Sequence, residues 1–142
     1  MTPSPLLTQN EARELIQAGW EIGGHTRWHS RLVRFRSGEE LNEEIGGCRA
    51  AIWRLLGYDA KTFAYPFGQF NAEVRRCVVR HGYEAACSTL NGFNTVRTDR
   101  FALRRLVIRA EDDMREFQWK VQGAYDWLGY FKRRSLAKKV QQ

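Results

Sequence analysis

No stretch of this 142-residue chain stays apolar for the ~20 residues that a helix needs to cross a bilayer. The opening residues, MTPSPLLTQNEAREL, have neither the basic start nor the long apolar core of a secretory leader. A cytoplasmic location, for the chain as given, is the expectation. Cysteines are few and odd in number, and Cys48, Cys77 and Cys87 form no CxxC pair. That pattern argues against both a disulfide framework and a cysteine-built zinc site. Cys48 and Cys77 fall on the apolar faces of predicted helices and Cys87 ends a predicted strand, so buried, reduced thiols are expected. Low-complexity segments and internal linkers are also missing. What is there, 43% hydrophobic and 27% charged residues, is the composition of one soluble globular domain.

The formal charge of +7 is unevenly spread. Lys132, Arg133, Arg134, Lys138 and Lys139 lie together with no acid among them, leaving the rest of the chain only mildly basic. The sequence therefore divides into a domain over 1–131 and a basic tail over 132–142. KRRSLAKK has the charge to touch phosphates or an anionic membrane surface, which would make the chain an interaction module. A solvated terminus is the expectation, with no nucleic-acid partner.

Three helix-to-strand units follow one another. Thr8 with Glu11 forms a capping box, and Ala12, Leu15 and Ile16 share one face of the first helix. Gly19 stops it before a short strand over Trp20–Gly23. Ser37 with Glu40 caps the second helix, whose stripe is Leu41, Ile45, Cys48, Ile52 and Leu55. Gly57 ends that helix, and Thr62–Tyr65 is the next strand. Asn71 caps the third, with Val74, Cys77 and Val78 inward; Gly82 precedes a strand over Tyr83–Cys87. Each unit ends in glycine and an aromatic (Gly19-Trp20, Gly57-Tyr58, Gly82-Tyr83), which predicts a left-handed stop and an aromatic turning toward the sheet. Short links between alternating helices and strands predict a parallel sheet wrapped by helices, though not its strand order. Beyond that, residues 88–100 read as a polar loop and Leu103–Ile108 as a strand. Asp112 or Asp113 caps a helix through Met114, Phe117 and Val121, and the aromatic segment AYDWLGYF follows Gly123. About four strands are too few for a closed eight-stranded barrel, which usually needs more than ~200 residues.

In parallel α/β folds, sites form where strands end and the next helix begins. His25 and His29 leave a predicted strand at that end. Two neutral imidazoles four residues apart can share a Zn²⁺ ion at ~2.0–2.1 Å. Thr26 stands where HExxH would need its glutamate, so that motif is excluded and further ligands must come from elsewhere. On spacing alone, ordinary loop histidines remain an open alternative. The stretch FAYPFG, residues 63 to 68, leaves the following strand at the same rim. Pro66 forces an extended residue and a turn there, and alone this reads as a tight connection with aromatic packing.

HTRWH and YPFG, in that order and about forty residues apart, together resemble the polysaccharide deacetylase family, also called the NodB-homology or carbohydrate esterase 4 family. HTRWH matches its H-[ST]-x-x-H motif and YPFG the end of its R-x-P-[FY]-G motif. The run AGWEIGGH, the "EE…EI" helix and GYEAA extend the match over residues 6 to 90, and loosely over 98 to 108. The resemblance implies a partial (β/α) barrel of the NodB-homology type, with parallel strands, outer helices and the N-terminal strands missing. It implies metal-dependent hydrolysis of acetyl groups on N-acetylglucosamine-type polysaccharide. His25 and His29 would then hold Zn²⁺ or another divalent metal. Tyr65, Pro66, Phe67 and Gly68 would be substrate-binding, forming the groove wall and the backbone near the acetyl oxygen.

The chain also departs from the family pattern. The T-F-D-D-G-like run that supplies the base and a third ligand does not occur before His25, and Asp112-Asp113 lies far downstream. Ala64 replaces the arginine of many members, as in a subgroup with A-Y-P-F-G. The late leucine-x-histidine motif is missing, and His81 reads as structural. The catalytic base Asp and acid His are thus unassigned. An inactive remnant that binds carbohydrate or a partner is the competing reading, and an exposed sheet edge would favour a homo-oligomer.

Overall fold

In this computed structural model residues 6–123 are described; the AYDWLGYF segment and the basic tail over 132–142 lie outside them. Helix α1 (Gln9–Gln17) opens on Thr8, whose side chain and that of Glu11 each accept from the other's backbone N–H. Helix α2 (Gly38–Leu56) is capped by Ser37, which accepts from Glu39 and Glu40 N–H, and ends at Gly57 in the left-handed region. Strand β1 (Thr62–Ala64), helix α3 (Ala72–Arg80), strands β2 (Ala85–Asn91) and β3 (Leu103–Arg105), and helix α4 (Met114–Val121) complete the order. Asn71 caps α3 and Asp113 caps α4, as their side-chain chemistry predicts. Among the described residues no helix is long and apolar enough to cross a membrane.

The sheet runs β1-β2-β3, all parallel. Its core is Leu32, Leu41, Ile45, Phe63, Tyr65, Val74, Val78, Tyr83, Ala86 and Phe101, all buried. Each large side chain among these contributes roughly 1.5–3 kcal/mol by leaving water. Leu41, Ile45 and Cys48 of the expected α2 stripe are buried, while Leu55 at its end is exposed. Cys48 and Cys77 are buried and Cys87 is half-buried, all three as free thiols.

Four expectations are corrected. The strand over Trp20–Gly23 does not form; the segment meets β1 in a single parallel bridge, Gly24 to Phe63. Two hydrogen bonds, Gly24 N–H to Thr62 O and Ala64 N–H to Gly24 O, each 2.8 Å, make that contact. The three glycine stops do have positive φ. However, only Tyr83 then turns into the core; Trp20 stays 65% exposed because no strand forms to carry it inward. The third correction lies at 88–91, read as loop but paired as the second half of β2. There Ser88 is buried and donates to Leu103 O, and the Asn94 side chain holds both Arg104 N–H and Arg104 O. Polar side chains thus do what an apolar alternation would normally signal. The pairing is irregular, since Cys87 faces Leu103 while Asn91 faces Arg105. Strands β1 and β3 stop short of the boundaries read from sequence, at Ala64 and Arg105.

Candidate active site

The loop from His25 to Ser30 starts where Gly24 crosses β1. Gly24 is buried, and a Cβ there would overlap the Tyr83 hydroxyl and the Phe63 ring. Tyr83 in turn donates to Ile45 O at 3.2 Å, so glycine is the residue that lets the chain lie against β1 and Tyr83 here. Beyond it the backbone is strained. The non-glycine residues with positive φ among those described are Thr26 (65°), His29 (56°) and Phe67 (57°). All three belong to the two motif loops, and such conformations cost about 1–3 kcal/mol each.

Glu44 of α2 holds the first loop in this shape. Its side chain is only 5% exposed. One carboxylate oxygen accepts from Arg27 N–H at 3.0 Å and Trp28 N–H at 3.1 Å, and the other from the Ser30 hydroxyl at 2.7 Å. Three donors from the residues between and just after the two histidines therefore converge on one carboxylate. The buried Thr26 hydroxyl finds no partner among the described residues.

His25 Nδ1 lies 2.6 Å from Ala64 O. A carbonyl only accepts, so the ring proton sits on Nδ1 and the Nε2 lone pair is left free, the arrangement that orients a ligating histidine. The His25 and His29 ring centroids are 4.9 Å apart at an interplanar angle of 66°. Two imidazoles on one tetrahedral ion, with bonds of ~2.0–2.1 Å, have centroids about 5 Å apart. The centroid spacing of the pair is thus that of two ligands on one such ion. Among the described residues no third His, Cys, Asp or Glu joins them. The Asp112-Asp113 pair is engaged elsewhere: Asp113 caps α4. Asp112 accepts from the Lys120 ammonium and from Arg109 N–H, which hold its carboxyl below the usual range.

The second loop divides its motif. Tyr65 and Pro66 are buried. The Tyr65 phenol donates to Phe101 O at 3.0 Å and stacks on Phe70 at 4.5 Å, and burial pushes its pKa up. Phe67 emerges at 44% exposure and sets its ring edge against His29, centroids 4.9 Å apart. Gly68 turns at φ 67° against Thr89, whose hydroxyl donates to Phe67 O. The structure thus brings His25, His29 and Phe67 together at one rim and leaves Tyr65 and Pro66 beneath them. His81, at the end of α3, is half-buried with Nε2 3.0 Å from Asn42 Oδ1. An apolar groove of about 350 Å³ between α1 and α2 is lined by Leu7, Ala12, Ile52 and Leu55, with neither histidine on its wall.

Two residues at this rim carried no role in the sequence reading. Glu44 had a signal, being a charge next to Ile45 and three residues after Leu41, inside the apolar stripe. Arg31 had none. Its guanidinium carbon sits 4.0 Å over the Phe67 ring, and it donates to Gln69 Oε1 at 3.2 Å.

The family model described as polysaccharide deacetylase matches residues 5–86. Among solved structures, the deacetylase PplD of Streptococcus pyogenes in complex with acetate superposes with a TM-score of 0.76 at 21% identity, covering 84% of this chain and 53% of that one. A polysaccharide deacetylase from Bacillus cereus gives 0.74 at 21% identity, covering 85% and 38%. A de-N-acetylase from Aggregatibacter actinomycetemcomitans gives 0.68 at 22% identity, covering 81% and 53%. At these identities the likeness speaks for the fold, and the chain spans about half the length of the first of these structures. No curated protein matches the sequence.

Proposed function

The chain belongs to the polysaccharide deacetylase family, and from that premise we propose that it carries part of a metal-dependent site for removing acetyl groups from an N-acetylglucosamine-type polysaccharide. The observation that supports this reading is the histidine pair itself. Two rings sit at the spacing of shared ligands, one has its Nε2 freed by Ala64 O, and both lie beside the YPFG turn.

A divalent ion held there would supply polarisation of the acetyl carbonyl and a lowered pKa for a bound water. His25 and His29 would hold it, with Zn²⁺ the first choice for imidazole and other divalent ions acceptable. Glu44 keeps the loop that presents them in its strained shape. Phe67 packs against His29 and walls the rim. In our reading its backbone N–H meets the acetyl oxygen, as oxyanion donors do. The general base and the third ligand have no candidate among the described residues.

Zinc titration of the 142-residue chain against a chromophoric chelator tests the reading. One ion per chain is expected, with affinity lost in both His25→Ala and His29→Ala. Failure of the unaltered chain to bind zinc would count against the metal site. Acetate release from N-acetylglucosamine oligomers, measured on the same preparation, then separates a working hydrolase from a chain that only binds glycan.

A further inference from the structure

Between His25 and Gly38 the chain carries Arg27, Arg31, Arg34 and Arg36 and no acidic residue. Arg27 is neutralised by Glu43 of α2. Arg31, Arg34 and Arg36 have no carboxylate partner among the described residues, whereas Arg49 and Arg75, on the helices behind, are paired with Asp59 and Asp99. Three of the four arginines on the segment that follows His25 are thus left without a carboxylate among the described residues.

Arg31 is the one of the three that is half-buried and held in place. Its guanidinium carbon sits 4.0 Å from the Phe67 ring centroid, and its one hydrogen-bond partner, the Gln69 amide, is neutral. Stacking and a neutral partner fix the group without cancelling its charge. Phe67 also touches His29, so the guanidinium lies within about 9 Å of the His29 ring. That is close enough for one sugar ring at the histidines to place its neighbour against Arg31. A fixed guanidinium with unused N–H donors matches a carboxylate in a two-bond fork.

We propose that Arg31 recognises an anion and that this rim takes an acetylated glycan bearing a carboxylate on the sugar next to the acetylated one. The proposal rests on the glycan reading of the site given above and adds the charge of its ligand. Arg34 and Arg36 contribute a diffuse field that draws an acidic chain in, and this part weakens as salt screens it.

The test compares two tetrasaccharides on the full chain by NMR titration: one alternating N-acetylglucosamine with glucuronic acid, the other N-acetylglucosamine alone. The acidic oligomer is expected to bind about tenfold more tightly. Arg31→Ala should remove that advantage and leave the neutral oligomer unchanged, and Arg31→Lys should restore only part of it, because an ammonium cannot make the fork. A phosphorylated oligomer, bound better than the acidic sugar, would reassign the anion and overturn the carboxylate. Equal binding of the two tetrasaccharides, or equal weakening of both by Arg31→Ala with an unchanged melting temperature, would overturn the proposal and leave the glycan reading standing. Binding of neither would overturn both.

Discussion

Replacing Glu44 by alanine should loosen the histidine loop before it unfolds the domain. The carboxylate accepts three hydrogen bonds, at 3.0, 3.1 and 2.7 Å. Hydrogen bonds to a charged group contribute about 1.5–3 kcal/mol each net of water. The simple total overstates the loss, because burying the carboxylate itself costs several kcal/mol and Arg27 and Trp28 are exposed enough for water to replace their partner. A net destabilisation of about 2–3 kcal/mol remains, or roughly an 8–10 °C drop in melting temperature for a domain of this size. Glu44→Gln isolates the charge. Its amide oxygen can still take the two backbone N–H groups and its NH₂ can donate to Ser30, so a loss of about 1 kcal/mol is expected. Urea unfolding followed by circular dichroism gives the global value, with the slope unchanged if only stability moves. Hydrogen exchange of the Arg27 and Trp28 amides gives the local one. Alanine within about 0.5 kcal/mol of the parent, with those two amides exchanging at their original rates, would refute the assignment of Glu44 as the loop's anchor.

Gly68→Ala should cost about 3 kcal/mol, from a left-handed φ that alanine resists and from a Cβ driven into the Thr89 hydroxyl and N–H. Equilibrium unfolding would show it, and a neutral effect would mean the YPFG turn shifts freely. His81 carries a pH prediction. Burial, then the Arg80 and Arg49 charges, hold its pKa below the ordinary histidine value of 6.5. Between that depressed value and 6.5 the unfolded chain binds a proton that the folded chain refuses, so its contribution is complete above 6.5 and is lost as pH falls below it. Melting temperature should decline from pH 7.5 to 5.5, and His81→Gln should flatten the decline; equal slopes in the two proteins would reject the assignment. Asp99 and Asp112, both held low by cationic partners, lose their contributions only in stronger acid, which keeps the histidine step separate.

The helices were legible because each announces itself locally: a capping side chain, an apolar stripe and a glycine stop, as at Thr8, Ser37 and Gly57. The parallel sheet followed from their alternation. Strand extents were less legible, since a bridge at Gly24 and a buried Ser88 depend on neighbours forty and fifteen residues away rather than on their own side chains. At the rim, His25, His29 and the FAYPFG turn stood out as residue types in a pattern. Sequence also placed the two motifs at strand ends; ahead of HTRWH that strand reduces to the Gly24–Phe63 bridge, which sets His25 beside Ala64. What sequence could not supply was which part of YPFG faces outward. Tyr65 is drawn into the core by Phe70 and Phe101 O, and the exposed ring is Phe67, turned out by a positive φ that no residue preference foretells.

Glu44 grips the histidine loop by two backbone amides and one serine, and by no histidine at all. The contacts Glu44 makes to the loop are therefore separate from the imidazoles that would be coordinated. In small zinc domains the chain collapses around the ion and chelation drives folding; here a buried carboxylate supplies hydrogen bonds to the loop as well. The same separation cuts the other way. A descendant could lose every ligand in this loop and still keep its outline, so the persistence of the shape in a distant relative would testify to Glu44 and Ser30 rather than to chemistry.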